Sequence, residues 1–106
     1  MRVLWPCSSI ARRTFADEVA SRGAALSEVV AYRTVPVPAD LAAGVLRRLG
    51  AGEIDAVAFF SPSAASSLAA AAGGGTLTVL AGRILVASIG PATSAALRSL
   101  GAPPDF

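Results

Sequence analysis

No histidine and no lysine occur among the 106 residues of this chain. The absence of imidazole excludes His-based triads, His–metal sites and histidine acid–base chemistry within it. The absence of a primary side-chain amine excludes Schiff-base catalysis, a pyridoxal anchor and a Walker lysine. A single cysteine, Cys7, permits no internal disulfide, and the expected setting is a reducing cytoplasm. No apolar run approaches the roughly 20 residues of a membrane span, and no membrane association is expected. Met1-Arg2-Val3-Leu4-Trp5-Pro6 opens on a strand pattern, with no signal-peptide apolar region. Catalysis is therefore left to hydroxyls, carboxylates, arginine, one thiol and backbone N–H groups.

Charge is also scarce. The net value is +2, carried wholly by arginine on the basic side. Apart from Arg12-Arg13 and Arg47-Arg48 the arginines are scattered, with no aromatic residues interleaved, so a nucleic-acid groove is not expected. A small anionic ligand is compatible with this balance.

What is present is apolar, 54% of the residues, in a chain long enough for one domain that buries about two-thirds of its unfolded surface. Val3-Leu4-Trp5 reads as a short strand, and Ser8 to Arg22 as a helix stopped by Gly23. Leu26 to Tyr32 is a second strand, and Val35-Pro36-Val37-Pro38 a stiff extended connector. Asp40 to Leu49 is a helix with Leu41, Val45, Leu46 and Leu49 on one face. Asp55 to Phe60 is a strand, Ser63 to Ala72 an alanine-rich helix, Arg83 to Ile89 a strand and Ala92 to Leu100 a helix before Gly101. Thr76 to Leu80 fits no single template. Strands alternating with helices predict an α/β fold, a parallel sheet with helices on both faces and its ligand cleft at the carboxyl ends of the strands. Ala102 to Phe106 stands where a further strand is expected, which suggests a fragment.

Three apolar runs end in small-residue, proline-containing turns: Trp5-Pro6-Cys7-Ser8-Ser9, Phe60-Ser61-Pro62-Ser63 and Ile89-Gly90-Pro91-Ala92-Thr93. Proline in a first helical turn sacrifices no hydrogen bond, and a neighbouring Ser or Thr caps the free N–H groups. Three such helix starts on one sheet edge would face a cleft with free donors and positive dipole ends, suited to carboxylate or phosphate. Each is equally a plain helix start. Recurrence at three strand ends favours a shared ligand site.

Tyr32 ends the second strand, where its hydroxyl could act over the cleft as a donor or weak acid. A half-packed edge tyrosine with a wet tip explains it as well. Cys7 and Arg13 fit C-x5-R at a strand-to-helix turn, the spacing by which a thiolate and an arginine share one anion in cysteine phosphatases and arsenate reductases. The intervening residues lack a glycine, and a buried structural thiol is the competing explanation. Gly73-Gly74-Gly75 follows a helix and lacks dinucleotide-binding spacing. A non-catalytic, flavodoxin-like anion-binding module is a third possibility.

Taken in order, Trp5-Pro6-Cys7 with Arg12, Val30-Ala31-Tyr32-Arg33-Thr34, Ile54 through Ala64 and Ile89 through Leu97 resemble the second half of the uroporphyrinogen-III synthase family. The resemblance runs almost the whole length. It implies a flavodoxin-like three-layer unit, incomplete or split between the two α/β domains of a longer enzyme. Residues 1–34 would belong to one domain and 39–106 to the other. It implies a cyclising hydro-lyase acting on hydroxymethylbilane, a linear tetrapyrrole polycarboxylate, with D-ring inversion and loss of water, without cofactor or metal. By the same resemblance, Tyr32 assists departure of the hydroxyl. The Ser61 turn, with Ser63 and Ala64, binds a substrate carboxylate. Gly90 and Thr93 belong to a second such turn, Arg12 matches a basic residue frequent in the family, and Ser8 in the first turn is a further candidate for the substrate. Ala92 stands where the family often has threonine. The isolated chain would need the missing N-terminal half, and no synthase activity is expected of it alone.

Overall fold

The computed structural model describes residues 1–106. Four strands alternate with four helices: β1 (Arg2–Ser8), α1 (Thr14–Ser21), β2 (Ala25–Tyr32), α2 (Ala39–Gly50), β3 (Ala56–Phe59), α3 (Pro62–Ala71), β4 (Leu85–Ser88) and α4 (Pro91–Ser99). The α/β order expected from the sequence is present, but the strands do not join one sheet. β1 pairs with β2 and β3 with β4, each pair parallel, as two separate two-stranded sheets. The chain divides accordingly into Met1–Pro36 and Val37–Phe106. The proline connector lies at the division. Pro36 and Pro38 supply no N–H and hold the backbone extended, so the strand ladder stops before them.

In the first unit, β1 and β2 run in register from Arg2 opposite Ala25 to Cys7 opposite Val30. Paired residues share a face of the sheet. α1 covers the face of Val3, Trp5 and Cys7: the Trp5 and Phe15 rings lie 5.1 Å apart at 58°, a tilted aromatic contact. Cys7 and Ala16 are the buried residues of this unit. The opposite face, with Leu4, Pro6, Ala25, Val29 and Ala31, is exposed.

Two expectations are corrected here. Pro6 does not open a helix: it lies within β1, opposite Val29. β1 has a single partner strand, and an edge strand tolerates proline because the missing N–H can face outward. α1 starts at Thr14, later than the expected Ser8, because the residues between form a turn instead. Ala11 N–H donates to the Ser8 carbonyl at 3.0 Å, and both Ser8 and Ser9 spend their hydroxyls on the exit of β2.

The second unit holds the larger core: Phe59, Ala65, Ala69, Leu77, Leu80, Val86, Leu97 and Ala102, with Leu49, Val57, Leu68, Ile84 and Leu100 packed against it. Alanines on the inner face of α3 let it lie close to its neighbours. The segment left unassigned from sequence, Thr76 to Leu80, is a chain of turns that buries Leu77 and Leu80. It is tied to the end of α4 by Leu77 N–H donating to the Leu100 carbonyl at 2.7 Å. Gly101, at φ +81°, sits so close that a Cβ would lie 2.7 Å from Cγ2 of Thr78. Along β4, on the side away from β3, Asp105 N–H donates to the Val86 carbonyl and Ser88 N–H to the Phe106 carbonyl. The Asp105 carboxylate accepts in turn from Val86 N–H at 2.8 Å. The expected further strand does not form; the chain end makes hydrogen bonds to β4 without joining its sheet as a strand.

Candidate functional site

In the second unit, β3 and β4 are parallel neighbours with Phe59 opposite Ser88, so α3 and α4 both begin at the same sheet edge. Each begins with proline at its first turn, as the sequence predicts. Ser61 is the N-cap of α3: its Oγ accepts from Ala64 N–H at 3.2 Å and lies 3.1 Å from Ser63 Oγ. Ser61 and Ser63 are half-buried and Ala64 is exposed.

α4 begins differently. Gly90 precedes Pro91 with φ 176°, extended backbone open to any residue, and a Cβ there would meet open space. No side chain caps the helix; Ser94 Oγ donates to Ser88 Oγ at 2.9 Å and Ser88 Oγ to the Gly90 carbonyl at 3.0 Å, which ties the helix start to β4. Ser88 and Ser94 were not singled out from the sequence. The usable signal was a polar residue ending an apolar strand six positions before another serine in a first helical turn. Thr93 is 3% exposed, so most of it is packed inward and little is offered to a ligand.

In the first unit, Tyr32 ends β2 and is 63% exposed, with its hydroxyl free of protein partners. The ladder is irregular beside it. Cys7 lies opposite Val30 but Ser8 opposite Tyr32, so Ala31 is an extra residue, a β-bulge. Around the bulge, Ser8 Oγ and Thr34 Oγ1 share a hydrogen bond of 2.6 Å. Thr34 N–H donates to Ser9 Oγ at 3.1 Å, and Ser9 N–H to the Tyr32 carbonyl at 2.9 Å. Ser8, expected on a ligand, thus has its hydroxyl engaged within the protein. Ser9 and Thr34 are further residues the sequence reading passed over. Arg12 is exposed in the turn before α1.

The thiol-phosphatase arrangement is absent. Cys7 is 7% exposed inside β1. Nη1 of Arg13 lies 2.7 Å from both carboxylate oxygens of Glu28. The hydrogen bond to Glu28, and then its charge, raise the Arg13 pKa above the ordinary arginine value. Arg13 is committed to an ion pair between the start of α1 and β2, and a thiol enclosed in a strand lacks the accessible setting of a nucleophile.

What remains is an α/β protein whose polar edges are built of hydroxyls, helix N-termini and one tyrosine. No helix is long and apolar enough to cross a membrane. The chain belongs to the uroporphyrinogen-III synthase family: the family model described as uroporphyrinogen-III synthase HemD matches residues 1–106. The family's role lies in tetrapyrrole biosynthesis, on a small-molecule substrate. Searches of curated proteins and of solved structures gave no match.

Proposed function

We propose that this chain forms part of a cytoplasmic uroporphyrinogen-III synthase. It would act in the cyclisation of hydroxymethylbilane with D-ring inversion and loss of water, the hydro-lyase step of haem biosynthesis. The observation that carries this, beside the family, is the pair of proline-started helix N-termini at one edge of β3 and β4. Two sets of free N–H groups and two positive dipole ends suit a ligand with many carboxylates. Ser61, Ser63, Ala64 and Gly90 line that wall, with Thr93 packed behind it. Tyr32 donates a hydrogen bond to the departing hydroxyl, which needs neither histidine nor lysine. Holding a reactive linear chain in one conformation supplies much of such a rate enhancement. No cofactor is required.

Each strand pair is read as part of a flavodoxin-like three-layer sheet that the missing N-terminal half completes. Residues 1–34 fall in one domain and 39–106 in the other. Exposed apolar faces support this: parallel strands are ordinarily covered on both sides, yet Leu4 is 66%, Val29 48% and Leu85 50% exposed. The isolated chain therefore binds the substrate class without turning it over. Titration with uroporphyrin III, and isomer analysis after incubation with hydroxymethylbilane, test both statements. Binding without type III product is expected. Absence of binding overturns the assignment, and stereospecific type III formation by the chain alone overturns its dependence on another half.

A further inference from the structure

Tyr32 owes its place to the irregular end of the β1–β2 ladder. The extra residue, Ala31, breaks the alternation just before Tyr32, and bulges of this kind re-aim side chains beside active sites. A bulge is also a loose point, because one residue of the ladder is unpaired. Here it is closed by a clasp of side-chain hydroxyls. Ser8 Oγ and Thr34 Oγ1 meet at 2.6 Å, joining the last residue of β1 to the second residue beyond β2. Ser8 Oγ also accepts from Ile10 N–H at 3.3 Å, and Ser9 completes the ring through the Thr34 N–H and the Tyr32 carbonyl. Ser8 is the ladder partner of Tyr32 and Thr34 lies two residues beyond it, while the exposed Tyr32 hydroxyl has no hydrogen-bond partner in the protein.

We propose that Ser8 and Thr34 are positioning residues whose hydroxyl pair locks the Ala31 bulge and so fixes Tyr32 at the carboxyl edge of β1–β2. The role rests on Tyr32 acting in the proposed reaction. Ser8 thereby serves the substrate through Tyr32 rather than by contact.

Tyr32 is the chain's one tyrosine, so 3-fluorotyrosine gives a single fluorine resonance from this site. The experiment follows that resonance on addition of uroporphyrin III, together with amide exchange at Ser9, in the wild type and in Thr34→Val, Ser8→Ala and Thr34→Ser. In the wild type the resonance shifts and Ser9 exchanges slowly. Thr34→Val and Ser8→Ala each speed Ser9 exchange by about tenfold and reduce the shift, with the Val29 and Val30 amides unaffected. Thr34→Ser, which keeps the hydroxyl, restores both. Wild-type behaviour in Thr34→Val and Ser8→Ala overturns the proposal, and so does faster exchange spread evenly over the sheet, the mark of a merely structural role. Clasp-dependent exchange without any response to uroporphyrin III instead overturns the assignment of Tyr32, and with it the purpose of the clasp.

Discussion

Ser61 closes the first turn of α3 on itself: its Oγ accepts from Ala64 N–H while standing 3.1 Å from Ser63 Oγ. Aspartate caps a helix as well as serine does but brings a negative charge. Ser61→Ala is expected to cost about 1 kcal/mol in urea unfolding. Ser61→Asp is expected to keep the urea midpoint while weakening uroporphyrin III binding roughly tenfold through like-charge repulsion. Equal affinity in Ser61→Asp and the wild type would remove this turn from the carboxylate site.

Gly101 is required by two independent constraints, a left-handed φ of +81° and the nearness of Thr78. Gly101→Ala should destabilise the second unit by about 1–3 kcal/mol. Adding Thr78→Ser removes the Cγ2 methyl and should recover only the steric part. Full recovery in the double variant, measured by denaturant unfolding, would show that the backbone conformation contributes nothing.

Arg13 has its pKa raised by the hydrogen bond it donates to Glu28. A raised basic group stabilises the fold at every pH below its unfolded value and loses that contribution only as pH climbs through the folded one. Both lie above the neutral range, and the chain has no histidine. The urea midpoint should therefore be flat between about pH 6 and pH 8. A midpoint that moves steadily across that window contradicts this accounting.

Cys7 is enclosed between the β1–β2 sheet and α1. Its labelling by a thiol reagent should be slow in the native chain and accelerate with urea in parallel with unfolding of the first unit. Cys7→Ser should leave uroporphyrin III affinity unchanged. Rapid native labelling, or loss of binding in that variant, would return the thiol to consideration as a functional group.

Much of this structure could be read from residue patterns, and the places where reading failed share a cause. The helix starts at Pro62 and Pro91 were legible because proline, a cap and an apolar strand sit within a few residues of one another. Pro6 carried the same local pattern and turned out to lie in a strand. Its environment is decided by β2, more than twenty positions away in sequence, which no local pattern reports. The partner of Ser8 was hidden likewise. Ser8 was placed on a ligand because hydroxyls near a strand end are ambiguous until their long-range partner, here Thr34, is known. The separation into two sheets is likewise a matter of long-range strand pairing, which no local pattern reports.

The contacts of Asp105 and Phe106 give β4 a neighbour on each side. Two residues thus decide whether β4 is an interior or a border strand. Removing them would bare the Val86 and Ser88 N–H groups, and a bared parallel strand is a template for pairing between molecules. A shortened chain would then be expected to self-associate and precipitate during purification, with every residue of the helix-start wall still in place.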